Sequence, residues 1–195
     1  MLFRSEAAFV VQNRIKGNLD ILLTIASAIP RIDSSRASAR DTVTALLEAG
    51  VLQRPEIISM WLAFESDAFD GRDKDFVGDD WYGKTGQFTA CFVEENGRPI
   101  RTHDVTPETI YAPGAGDYYT IPLRTGETTV GNPKFFTFGN GMKTLIASIS
   151  VPIKASNGKT IGVVGIDMDY ARIQEAMKEL CQRSEERRVG KECRS

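Results

Sequence analysis

Residues 144–168 hold two apolar runs, T-L-I-A-S-I-S-V-P-I and T-I-G-V-V-G-I-D-M, joined by K-A-S-N-G-K. Leu145, Ala147, Ile149 and Val151 fall on one side of an extended segment, with Thr144, Ser148 and Ser150 on the other. That period of two is the signature of a strand. Asn157-Gly158 supplies a tight hairpin turn, because both residues tolerate positive φ. The second run is β-branched and glycine-containing, as a central strand packed on both faces would be. Ile161, Val163, Gly165 and Asp167 share one of its faces. A carboxylate ends that row, and the glycine before it leaves room above the sheet. A strand-end aspartate is ordinarily a turn or capping residue, so Asp167 needs a second pointer before it is read as a site.

The 195 residues suffice for one full core with an added helical arm. Three cysteines show neither a pairing pattern nor metal-ligand spacing, and His103 is the one histidine. Histidine-based catalysis, a zinc site or a bound cofactor is therefore not expected. The longest early apolar run, residues 21–29, is too short and interrupted to span a bilayer, and no signal peptide is present. Both ends read as foreign. Residues 1–5, M-L-F-R-S, and 183–195, R-S-E-E-R-R-V-G-K-E-C-R-S, look like translated sequencing adapters. Setting them aside removes six basic and three acidic residues from 24 and 26, and the remainder is net −5. A mildly acidic module of this kind is a poor partner for nucleic acid. On this reading a leader or membrane anchor lies outside the chain.

Ile15, Leu19, Leu22, Ala26 and Ile29 recur at alternating spacings of four and three, an apolar stripe on one helical face. Such a stripe serves an arm packed along a domain or against a second copy of itself, or an ordinary helix on a core. Pro30 ends this helix. A second helix is capped by Asp33, Ser34 or Ser35, buries Val43, Leu46 and Leu47, and stops at Gly50. Residues 57–64 read as a strand, and 66–84 as a structured surface loop. Its D-A-F-D-G-R-D-K-D run lacks the spacing and closing glutamate of a calcium loop. Residues 87–94 and 99–103 read as strands around a turn at Asn96-Gly97. Thr106-Pro107-Glu108 starts a helix. Y-A-P-G-A-G-D-Y-Y-T-I-P, residues 111–122, sets Tyr111, Tyr118, Tyr119 and Asp117 around two glycines, too polar and broken to be core filler. Residues 135–138 form an aromatic segment, and 170–180 resume helical spacing through Ile173, Met177 and Leu180. Two helices, about five strands and a last helix make an α+β fold with an antiparallel sheet.

G-N-G-M-K-T at 139–144 fails phosphate-loop spacing and reads as a hairpin turn. No Ser/His/Asp or Cys/His set can be assembled, and Cys91 reads as a small buried residue. Nothing here supports an enzyme. An aromatic wall with one carboxylate suits an ammonium group, through cation–π attraction and a charge-assisted hydrogen bond. Tyrosines near a strand end are equally often structural.

Three segments together resemble the Cache (double Cache, PAS-like) extracytoplasmic sensor domains of bacterial methyl-accepting chemotaxis proteins. They are M-W-L-A-F-E-S-D-A-F-D-G at 60–71, P-G-A-G-D-Y-Y-T-I-P-L-R-T-G at 113–126 and S-V-P-I…G-K-T-I-G-V-V-G-I-D-M at 150–168. The resemblance implies a long N-terminal helix followed by a PAS-like antiparallel sheet carrying the pocket, the membrane-distal module. The chain then divides into an arm over residues 6–50, the binding module over 51–170 and a truncated exit helix over 171–182. The amino-acid-binding branch of the family uses a Tyr, an Arg two residues before a Trp-Tyr pair, and an Asp in a G-x-D strand. Tyr111, Tyr118, Tyr119 and Asp167 stand at the Tyr, Trp, Tyr and Asp positions, and Gly116 at the Arg position. The amine-holding acid is kept and the carboxylate-holding arginine is not. The expected ligand is therefore a cationic amine, of quaternary ammonium or polyamine type, with Trp61 and Trp81 completing the cage and Asp117 beside it. The alternative is an amino acid, with Arg124 or Lys134 replacing the arginine. The expected role is the sensor of a membrane-anchored chemoreceptor, dimeric through the N-terminal helix. A membrane-bound histidine kinase or diguanylate cyclase is the alternative host, and an unliganded dimerisation module the third reading.

Overall fold

In the computed structural model, which describes residues 2–175 and Lys178, a curved antiparallel sheet is covered by helices on both faces. Met177, Leu180 and the tail 183–195 lie outside the described residues. The chain opens with α1 (Leu2–Ala28), a 3₁₀ turn at Ile29–Arg31 and α2 (Ala39–Gly50). The strands are β1 (Ile57–Phe64), β2 (Thr89–Glu95), β3 (Arg98–Thr102), β4 (Thr129–Val130), β5 (Lys134–Thr137), β6 (Lys143–Lys154) and β7 (Thr160–Asp169). Between β3 and β4 lie the short helices α3 (Pro107–Ile110) and α4 (Asp117–Thr125). Strand order is β3-β2-β1-β7-β6-β4, with β5 also on β6, and every pair is antiparallel. This is the α+β architecture expected, with β1 and β7 central and buried on both faces.

Alternation along the strands builds two cores. Val164, Ile166 and Met168 of β7 join Met60, Leu62, Ile149 and Val151 beneath α1 and α2. Val163 joins Trp61, Ile146 and Cys91 on the opposite face, beneath α4. The Asn157-Gly158 turn forms as expected, but only Gly158 takes positive φ, at 82°. Gly158 N–H donates to Ala155 and Ala155 N–H to Lys159, which sets the β6–β7 register.

Four expectations change in three dimensions. The α1 stripe is used within the chain: Leu22, Ala26 and Ile29 are buried on the sheet, and Ile15 and Leu19 pack against the same core. That stripe is therefore covered by its own domain; among the described side chains of α1, Phe9 and Leu23 are the large apolar ones left exposed. Second, α2 begins at Ala39, and Asp33 instead closes a local turn by accepting from Ser35 N–H and Oγ. Gly50 ends α2 for space rather than for handedness, since a Cβ there would stand 2.5 Å from the Met60 sulfur. Third, the 66–84 segment is not simply a surface loop, because two of its acids are buried. Asp70 and Asp73 are buried around the Arg40 guanidinium, which donates to both and to the Gly86 carbonyl. Fourth, residues 117–125 form a helix rather than a broken loop, and its Tyr119 is fully buried core. Among the described residues no helix is long and apolar enough to cross a membrane.

Candidate ligand-binding site

The register of the three central strands makes the site. Asp167 of β7 pairs with Ser59 of β1 on one side and Ser148 of β6 on the other. Each serine hydroxyl donates to a different oxygen of the carboxylate, both at 2.5 Å. Two residues earlier, Gly165 lies opposite Trp61, and a Cβ there would meet the indole at 2.1 Å. The room that the glycine leaves is thus filled by the Trp61 ring, laid across the sheet beside the acid. Tyr118 of α4 meets that indole edge-on, with centroids 4.8 Å apart. These three residues line one cavity with Ser148, Lys134 and Phe136.

The cavity is small, with about 30 Å³ open, room for about two waters. Two larger hollows, of about 560 and 690 Å³, are open surface grooves whose walls carry no aromatic side chain. Chemistry rather than volume therefore marks the smaller one. Asp104 also borders it, accepting from Thr102 Oγ1 at 2.7 Å and from Gly139 N–H at 2.8 Å. Lys134 is the exposed residue of the lining, and its ammonium stands 5.4 Å from the Tyr118 ring centre. Burial pushes the Asp167 carboxyl above its ordinary value, opposed by the two serine bonds and the Lys134 charge. Burial also raises the Tyr118 phenol, to about 12, with Asp167 and Asp104 adding to the effect. The Cys91 thiol borders the cavity and is pushed far up by burial, which fits a packed residue and not a nucleophile.

Of the residues singled out from sequence, Trp61, Tyr118 and Asp167 come together and four do not. Adjacent residues on a helix diverge by about 100°, so Tyr118 facing the cavity turns Tyr119 elsewhere. Tyr119 and Tyr111 both donate to Glu65 Oε1, at 2.8 and 2.6 Å, and meet edge-on at 5.6 Å. They fasten the α3–α4 segment to the end of β1. Asp117 is exposed in the first turn of α4, where an acid complements the helix dipole. Trp81 stacks on His103 at 4.7 Å with Arg101 over its face, at the β3 edge of the sheet and away from the cavity. Ser59, Ser148 and Asp104 were not legible as site residues. Ser59 is a single hydroxyl in an otherwise apolar strand, the one available signal. Arg124 is exposed in the last turn of α4, so Lys134 is the cation that reaches the site.

Gly116, at the position of the family arginine, cannot carry a side chain here. A Cβ would stand 2.2 Å from the Ile110 carbonyl oxygen. Gly116→Arg is expected to destabilise the domain by about 2–3 kcal/mol and to restore no ligand contact. Thermal melting beside a calorimetric titration checks both.

Residues 43–175 match the model of the family described as methyl-accepting chemotaxis protein-like, first PDC sensor domain. The chain is 27% identical over 144 residues to the methyl-accepting chemotaxis protein TlpQ of Pseudomonas aeruginosa, covering 69% of this chain and 20% of that protein. Among solved structures it is similar to the extracellular domain of mmHK1S-Z3, a proposed histidine kinase. The TM-score is 0.69 at 26% identity, over 88% of this chain and 57% of that one. The ligand-binding domain of the Campylobacter jejuni chemoreceptor Tlp3, solved in complex with L-norvaline, shares the fold with a TM-score of 0.61. Identity there is 15%, over 90% of this chain and 59% of that one. The chain thus spans a fifth of the curated relative and under two thirds of these solved domains. From the family match and from the sheet with its helical cover, this chain belongs to the methyl-accepting chemotaxis protein-like family of first PDC sensor domains.

Proposed function

We propose that this chain is the ligand-sensing module of an extracytoplasmic receptor, and that its ligand is a small molecule carrying an ammonium group seated on Asp167. One observation carries the reading: a buried carboxylate stands at the floor of a cavity walled by Trp61 and Tyr118. A cation there gains a charge-assisted hydrogen bond and the faces or edges of two rings, in surroundings that screen little. Primary, quaternary and polyamine ammonium groups all have this chemistry. The host is a chemoreceptor, as the curated relative is; a histidine kinase is the second reading, favoured by the 26% identity to mmHK1S-Z3.

Asp167 lies two residues from the end of β7, and Asp169 caps the helical turn that follows by accepting from Ala171 N–H at 2.8 Å. A guest that draws on Asp167 therefore acts on the strand that leads directly into the exit helix. Binding energy that differs between two positions of that helix shifts their populations. Isothermal titration of the purified chain with amines, and with carboxylic acids lacking an amine, tests the reading. Heat with ammonium compounds and none with the plain acids is expected; binding of the plain acids alone would overturn it.

A further inference from the structure

We propose that Glu56, at the entrance to β1, passes occupancy of Asp167 to two helices at once, α1 and the exit helix that begins at residues 170–175. The inference rests on the ammonium reading above and adds how that site is read out. Three consecutive residues hold both helices. Arg54 lays its guanidinium against Gly17 of α1, where a Cβ would stand 2.3 Å from Nη2. The Pro55 carbonyl accepts from Arg172 Nη1 at 2.9 Å, and Arg172 also pairs with Glu94 at 2.7 Å. Glu56 is 1% exposed. Its carboxylate accepts from Asn18 Nδ2 at 3.3 Å and from Arg14 Nη1 at 2.5 Å, both on α1. Its carbonyl accepts from Asp169 N–H at 2.9 Å. One residue therefore binds α1 through its side chain and the end of β7 through its backbone.

The route from Asp167 to Glu56 is short and passes through a bulge. Ser59 pairs with Asp167 and Ile57 with Met168, so Ile58 is an extra residue on β1. Ile58 and Ser59 consequently share the α4 side of the sheet, while Ile57 turns to the core beneath α1. A bulge leaves one residue outside the ladder and takes up a small shift that a continuous ladder resists. An ammonium group on Asp167 competes with the Ser59 hydroxyl for the carboxylate and loosens β1 at that point. On the other face Met168 follows Asp167, and its sulfur accepts from Asn18 Nδ2 at 3.3 Å. Asn18 is fully buried, yet its Oδ1 has no partner among the described residues. A buried amide with long bonds on one side and none on the other holds α1 weakly. It is the contact that yields when the start of β1 moves, and α1 and the exit helix then shift relative to one another.

Hydrogen exchange of the whole chain, read by mass spectrometry with thermal melting as the folding control, tests this. Ser59→Ala removes a bond to Asp167 on the face opposite α1. It is expected to speed exchange of residues 11–20 about threefold or more and to leave α2, packed on the same face as α1, unchanged. In Asn18→Leu, or Asn18→Met where the leucine variant does not fold, that response is expected to vanish. In Glu56→Gln, which keeps the acceptor for Asn18, it is expected to persist. Tetramethylammonium and ethylamine, titrated calorimetrically for binding, are expected to act on residues 11–20 as Ser59→Ala does. Unchanged exchange of residues 11–20 in Ser59→Ala, a rise that covers α2 equally, or a response that survives both Asn18 variants overturns the inference and leaves the ammonium reading standing. Absence of binding by both amines overturns the ammonium reading, while the Ser59→Ala comparison decides the link from β1 to α1 by itself.

Discussion

Asp167→Asn is expected to weaken ligand binding sharply and, in the same protein, to raise the melting temperature of the unliganded domain. The two effects have one cause. A carboxylate buried among Trp61, Ser59 and Ser148 is held above its ordinary titration range because burial penalises its charge. The native state therefore binds a proton more tightly than the unfolded chain does, for which the ordinary value is 3.8. Stability from this group is fully present below that value and is lost as pH rises through the folded one. When the carboxyl is ionised, wild type carries a buried charge that the amide does not. Asparagine can still bond both serines, with one of them turning from donor to acceptor. A gain of about 1–2 kcal/mol follows, and for a domain of this size each kcal/mol is about 2–4 °C. Loss of the ammonium's partner should weaken binding by about 2–5 kcal/mol, roughly thirtyfold or more. In wild type, affinity for an ammonium ligand rises with pH through the titration of Asp167, with Asp104 and Lys134 on the same cavity modulating the midpoint. Melting and titration between pH 4 and 8 measure all of this, and a destabilised Asp167→Asn that still binds would remove the acid from the site.

The second large effect lies outside the cavity. Arg40 of α2 is 2% exposed and donates from Nε and Nη2 to Asp70 at 2.8 and 2.9 Å, and from Nη2 to Asp73 at 2.7 Å. Its guanidinium also lies 3.9 Å from the Phe76 ring centre and near Tyr82 and Phe88. Asp73 in turn accepts from Asp67 N–H at 2.7 Å, so one cation organises the whole 66–84 loop. Burial alone would raise the Asp70 carboxyl, yet the guanidinium outweighs it and holds the group below its ordinary range. Arg40→Ala leaves two buried acids unpaired, a loss of about 3–5 kcal/mol, measurable by urea unfolding. Replacing Asp70 and Asp73 with asparagine in the Arg40→Ala background should recover part of it, because the uncompensated charge is then gone. Stability from Asp70 is present above its unfolded value of 3.8 and is lost as pH falls through the depressed folded one. Acid therefore acts on this pair in the sense opposite to Asp167.

The sequence made the strands legible where apolar residues alternate without competition. Residues 57–64 and the hairpin of β6 and β7 are such places, because period two admits one register against a buried face. It misread places where neighbours distant along the chain supply the reason. The acids at 70 and 73 read as part of a surface loop because Arg40 stands some thirty positions away. Tyr119 read as a ligand residue because adjacent tyrosines in a glycine-flanked run look alike until a helix turns them about 100° apart. Trp81 read as part of the cage because nothing local reveals that Arg101 and His103 hold it at the sheet edge.

What the sequence determined by itself is the central antiparallel hairpin, its packing on both faces and the acid at the end of its inner row. Those follow from side-chain period and turn chemistry, which act between near neighbours. Only the tertiary structure decided which groups face that acid. Strand pairing brings Ser59 from 108 positions away and Ser148 from 19, and packing of α4 and β5 delivers Tyr118 and Lys134. Contacts of that range depend on register and crossing of whole elements, and no local pattern of residues encodes them.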